Sequence, residues 1–142
     1  MVTVSEPFPK IFIAYETEPD GAVPKAVYLL DMFLTNLGYT IGTDYKHQLE
    51  VASGATWGAT WALALWGILP QYDAAICVRA TNRANRNREY CSIDWELETL
   101  RLHHRPILYT SASIFDDLSD DDALDVARSV HHDLLGLLIL GY

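Results

Sequence analysis

Ile11-Phe12-Ile13-Ala14-Tyr15 is a run of five apolar residues, followed at once by the turn-forming cluster Glu16-Thr17-Glu18-Pro19-Asp20-Gly21. A short apolar run closed by turn residues reads as a strand buried on both faces. The period then changes. Val23, Val27, Leu30, Leu34 and Leu37 recur at helical spacing. Pro24 suits the first turn of that helix and Gly38 the left-handed residue that ends it. Tyr39-Thr40-Ile41 reads as a second strand, and a polar loop runs from Asp44 to Ser53.

Trp57, Trp61, Leu65 and Ile68 mark a second helical face, ended by Pro70. Ala74-Ala75-Ile76-Cys77-Val78 reads as a third strand. A long loop from Arg79 to Cys91 separates it from a helix for which Ser92 is the expected N-cap. Pro106-Ile107-Leu108-Tyr109 reads as a fourth strand. Ser119, three residues before Asp122, resembles a helix start, and that helix should run toward Leu134. The tail from Gly136 to Tyr142 fits either a helix end or a strand. Strand and helix thus alternate four times, which predicts a parallel sheet with helices on both faces. Ligands in such sheets bind beyond the carboxyl ends of the strands. The loops after Tyr15, Ile41, Val78 and Tyr109 are therefore the places to look for function.

Composition narrows the classes. The chain has 142 residues, half of them apolar, which suits one domain and excludes a disordered or collagen-like chain. Ten basic residues against 19 acidic ones give a formal net charge of −9. That balance repels nucleic-acid polymers and anionic membranes but leaves room for a small anion in one local pocket. The two cysteines cannot form a disulfide framework, and Cys77 reads as a small core residue. The N-terminal stretch lacks the pattern of a signal peptide, and no apolar run reaches the length of a membrane span, so a cytoplasmic protein is expected.

Three constellations could carry chemistry. Ser92-Ile93-Asp94-Trp95-Glu96-Leu97-Glu98 opens a helix after the third strand. A carboxylate held there stays ionised beside the helix N-terminus and can stabilise the cationic sugar formed when an N-glycosidic bond breaks. Acids are also common in first helical turns for the dipole alone. Glu96 and Glu98 lie about 200° apart around a helix, so only one of them can face a pocket. Arg79, Arg83, Arg86 and Arg88 place four of the ten cations in one short stretch, interleaved with Asn82, Asn85 and Asn87. That stretch fits contact with a phosphate, an acidic partner face, or simply a solvated loop. Trp57 and Trp61 share a helical face and could stack on a base or pack in the core. The adjacent pairs His103-His104 and His131-His132 match no metal-site spacing, so no metal is expected.

The ordered set of motifs resembles the TIR (Toll/interleukin-1 receptor-like) domains of bacteria over roughly residues 10 to 109. Ile11 to Tyr15 resembles the family's opening strand. Leu37-Gly38-Tyr39, Thr40-Ile41 with Asp44, Gly58-Ala59-Thr60-Trp61 and Asp73 with Ala74 to Val78 follow in the family's order. Trp95-Glu96-Leu97-Glu98 and Arg105-Pro106-Ile107 resemble its W-E-I-E and K-P-I signatures. The resemblance implies a three-layer, flavodoxin-like α/β fold with a parallel sheet of four to five strands, occupying residues 1–142 with 1–9 as an extension. It implies cleavage of NAD+ at the nicotinamide–ribose bond, with Glu96 catalytic and NAD+ as substrate rather than cofactor. The product would be a linear, cyclic or other ADP-ribose species, acting as a signal in antiviral defence. Tyr15, Glu16, Asp44, Trp57, Trp61, Arg79, Ser92 and Trp95 would contact the substrate. Homo-oligomers formed through TIR–TIR contacts are expected with it.

The chain also resembles nucleoside 2-deoxyribosyltransferases, which use a glutamate nucleophile in a W-E-L-G-like motif. Here Glu98 stands in place of that motif's glycine, and Leu65 and Tyr90 stand where its upstream carboxylates would fall. The asparagine expected near the C-terminus has no clear counterpart. Those departures rank a transferase or a nucleoside or nucleotide N-glycosidase second, and a non-catalytic TIR interaction module third.

Overall fold

The computed structural model describes residues 8–17, 22–43, 67–79 and 92–140. Four strands form one parallel sheet: β1 (Lys10–Tyr15), β2 (Thr40–Thr43), β3 (Ala74–Arg79) and β4 (Ile107–Ser111), in the order β2-β1-β3-β4. The described helices are α1 (Lys25–Leu37), α2 (Ser92–Leu102) and α3 (Asp120–Leu140), with short 3-10 turns at Leu69–Gln71 and Ala112–Phe115. This is the expected three-layer α/β arrangement with four strands. After β4 the described chain passes through the second 3-10 turn directly into α3. The ambiguous tail is helical as far as Leu140.

Alternation along each strand divides the core into two clusters. Ile11 and Ile13 of β1, with Ala74, Ile76 and Val78 of β3, pack against Val27, Leu30 and Leu34 of α1 and Ala127, Val130 and Leu134 of α3. Phe12, Ala14, Ala75 and Cys77 face the other way, onto Ile93, Leu97 and Leu100 of α2 and onto Leu69 and Tyr72. Each fully buried Leu, Ile or Phe contributes about 1.5–3 kcal/mol by leaving water, so the two interfaces hold the layers together.

Two glycines are required by geometry. Gly38 ends α1 at φ 114°, in the left-handed region, and its N–H bonds back to the helix's last turn. Gly42 in β2 lies directly under the Tyr72 hydroxyl, which leaves no space for a Cβ. Pro24 sits at the cap position just ahead of α1 rather than inside its first turn. Pro70 lies within the 3-10 turn, which joins the described part of the preceding segment to β3. Ser119 receives the Asp122 N–H at 3.2 Å, as a capping side chain should. Within the expected N-terminal extension, Phe8 is exposed but lays its ring 5.0 Å from that of Tyr39.

The amino edge of the sheet is fastened by reciprocal bonds. The Lys10 N–H donates to Asp73 Oδ2 at 2.8 Å, and the Asp73 N–H donates to the Lys10 carbonyl at 2.8 Å. The Ala75 N–H donates to the Pro106 carbonyl, and an Arg105 Nη2 donates to the Pro70 carbonyl at 2.7 Å. No helix among the described residues is long and apolar enough to cross a membrane.

Candidate active site

The carboxyl ends of the strands are where this topology gathers polar side chains. The Glu16 N–H donates to the Val78 carbonyl at 3.0 Å, which extends the β1–β3 ladder one residue past Tyr15. Strand parity then puts Glu16 on the face of Phe12 and Ala14, toward α2. The same parity puts Arg79 on the face of Ala75 and Cys77. Arg79 Nη1 and Glu16 Oε2 meet there at 3.7 Å. The guanidinium carbon of Arg79 also lies 5.7 Å from the ring centroid of Tyr109, on the neighbouring strand. The Tyr109 hydroxyl in turn accepts a hydrogen bond from Arg101 of α2.

Glu96 approaches the same face from α2. The helix turns Ile93, Glu96, Leu97 and Leu100 toward the sheet, and Glu96 is only 2% exposed. Glu98 is exposed, so the two glutamates are separated by helix phase as their spacing requires. The buried Cys77 thiol lies in the field of all four groups. Burial is the main cause that pushes its pKa up to about 11, Arg79 and Arg101 oppose the rise, and Glu16 and Glu96 add to it. Two carboxylates and two guanidinium groups therefore act on one point in the middle of the α2 face.

The expected site residues separate into three groups. Glu16 and Arg79 pair at 3.7 Å, and Glu96 is buried on the same face of the sheet. Arg79 is the last residue of β3 rather than the first residue of a loop, and the sheet rather than a loop fixes where it starts. Trp95 is half-buried at the edge of the α2 cluster, and its carbonyl accepts the Thr99 hydroxyl at 2.9 Å. Ser92 is the first residue of α2 and not the residue before it. Tyr15 packs against the α1–α3 cluster, on the opposite face of the sheet from Glu96. Asp44, Trp57 and Trp61 lie outside the described residues, as do Leu65, Tyr90, Cys91 and the arginines at 83, 86 and 88.

Sequence reasoning missed Tyr109 and Arg101. Tyr109 was read only as the end of a strand. The signal for it is parity: in the β3–β4 register it stands opposite Cys77, on the α2 face. Arg101 carries no local signal, because its partner lies across a turn and on another element.

No protein-family model matches the chain, and no curated protein matches it significantly. Among solved structures, a 2-deoxyribosyltransferase from the psychrotolerant bacterium Bacillus psychrosaccharolyticus aligns with a TM-score of 0.50. The alignment covers 82% of this chain and 81% of that one, at 16% identity. That enzyme is described as a biocatalyst for the synthesis of antiviral and antitumoral nucleosides. At this identity the likeness establishes the fold, and it agrees with the parallel three-layer arrangement built up from the strands above.

Proposed function

We propose that the chain is an enzyme acting on the N-glycosidic bond of a nucleoside, with Glu96 as the nucleophile. The observation that carries this reading is Glu96 itself: a carboxylate buried on the sheet-facing side of α2, the same face of the sheet onto which Glu16 and Arg79 project. Carboxylates are seldom buried without a task, because desolvation penalises the charged form. A glycosyl transfer supplies such a task.

In this reaction an oxygen of Glu96 attacks C1′ of the sugar. The C1′–N bond breaks, and its electron pair leaves with the base, which takes up a proton from solvent. The resulting glycosyl ester is opened either by the nitrogen of a second base, giving transfer, or by water, giving hydrolysis. Glu96 emerges as a carboxylate in both cases. The residues themselves supply this chemistry, so no cofactor or metal enters the scheme. The similarity to a solved 2-deoxyribosyltransferase supports this reading over the NAD+-cleaving one.

The test is to offer deoxyinosine with free adenine and to follow both bases by chromatography. Appearance of deoxyadenosine identifies transfer, and hypoxanthine alone identifies hydrolysis. Consumption of no nucleoside, or full turnover by Glu96→Gln, overturns the reading. Release of nicotinamide from NAD+ in a parallel reaction, with nucleosides untouched, would restore the TIR-like activity in its place.

A further inference from the structure

The carboxyl end of β3 and β4 offers more hydrogen-bond donors than the described residues use. Arg79 Nη1 is buried and makes no hydrogen bond among the described residues. Its 3.7 Å approach to Glu16 is an ion pair, longer than a hydrogen bond. The Tyr109 ring under the guanidinium limits the directions in which that group can turn.

The neighbouring strand adds hydroxyls at the same level. Arg79 stands opposite Ser111 in the β3–β4 register. Ser111 has the strand parity of Tyr109, and so shares the α2 face. The hydroxyls of Ser111 and Ser113 lie 2.9 Å apart, and the Ser113 N–H donates to Ser111 Oγ at 3.2 Å. A guanidinium fork and two adjacent hydroxyls therefore sit at the ends of two neighbouring parallel strands, where this fold type binds its ligands. The group that suits them has several anionic oxygens and accepts in more than one direction. A phosphate monoester does so, and a guanidinium recognises it through two parallel N–H bonds.

We propose that Arg79, with Ser111 and Ser113, binds a 5′-phosphate, so that the preferred substrates are nucleoside 5′-monophosphates rather than nucleosides. The inference rests on the N-glycosyl reading above and names its substrate class. Glu16 remains as a counter-charge beside Arg79, which keeps the preference moderate. It should be about 10- to 100-fold in kcat/KM, the range given by one or two hydrogen bonds to a charged group.

The experiment compares deoxyinosine with deoxyinosine 5′-monophosphate on the native protein, and repeats the comparison with Arg79→Gln and Ser111→Ala. The expected result is a native preference for the monophosphate that collapses to near unity in Arg79→Gln and falls several-fold in Ser111→Ala. Cleavage of both substrates with no preference in the native protein overturns the inference and leaves the N-glycosyl reading standing. A second measurement separates the two failures: calorimetric titration of Glu96→Gln with each compound. Tighter binding of the monophosphate with neither compound cleaved by the native protein would retain the anion site and reject the reaction. Neither binding nor cleavage would reject both.

Discussion

Replacing Glu96 by methionine should remove activity and leave the protein about as stable as before. Glu96 is 2% exposed and lies on a helix face whose other members, Ile93, Leu97 and Leu100, are packed in an apolar cluster with Phe12, Ala14 and Cys77. Methionine has a similar length and volume and adapts to irregular surroundings. Replacing a buried ionic group by a well-packed apolar one gains about 1–4 kcal/mol in comparable cases. Loss of the interactions the carboxylate makes would return about 1–3 kcal/mol of that. The two ranges leave a balance between about −2 and about +3 kcal/mol, centred slightly in favour of the variant, or about 1–2 °C in midpoint at that centre for a chain of this size. Urea unfolding followed by far-ultraviolet circular dichroism measures it, with Glu96→Gln as the isosteric control. Turnover should fall by about a thousandfold or more in both variants if the carboxylate is a nucleophile. A methionine variant destabilised by more than about 2 kcal/mol would refute the reasoning. Glu96 would then be a structural hydrogen-bonding group, buried for the sake of the fold.

Three further outcomes follow from the packing. Gly42→Ala places a methyl group against the Tyr72 hydroxyl and ring, so it should destabilise the protein by about 1–3 kcal/mol in urea unfolding, with partial recovery in a Gly42→Ala, Tyr72→Leu double variant. His131, bonded to the Tyr39 hydroxyl at 2.8 Å, has its pKa held below the ordinary value of 6.5, first by burial and then by His132. Its contribution to stability is therefore complete above pH 6.5 and is lost as pH falls through the lowered pKa, and His131→Gln should flatten stability across that window. Cys77 is fully buried with its pKa pushed up to about 11, so in a Cys91→Ser background iodoacetamide at neutral pH should modify the thiol only when the protein is unfolded.

Most of the fold was legible because its signals are local. β1 and β3 are continuous apolar runs, α1 has a regular helical stripe, and Gly38 is a stop signal that works through its own backbone angle. Ser119 was readable for the same reason. The end of α3 was less so, since Leu135, Leu137, Leu138, Ile139 and Leu140 have no clear period and Gly136 interrupts the helical pattern without ending the helix. The candidate site was half legible. The choice between Glu96 and Glu98 needed the phase of one helix, which depends on how α2 lies against the sheet and not on its own sequence. The face taken by Tyr15 was hidden by the same limitation, since a strand's end does not reveal which way its last side chain points. Arg79 was read as a loop residue because charge usually marks a strand's end, whereas here the ladder continues through it to Ser111. Arg101 and Tyr109 meet only after the chain has folded back, and no spacing in the sequence announces that.

The reciprocal bonds between Lys10 and Asp73 have a consequence for how such a chain can change over evolution. All four ties described at that edge use a backbone group on at least one side, and two are made by backbone alone. Strand registration is therefore secured at the end of the sheet remote from Glu16, Arg79 and Ser111. Side chains at the carboxyl end can be exchanged while the registration that builds the sheet stays intact. The molecule separates the half that must be inherited nearly whole from the half that can be rewritten for a new substrate.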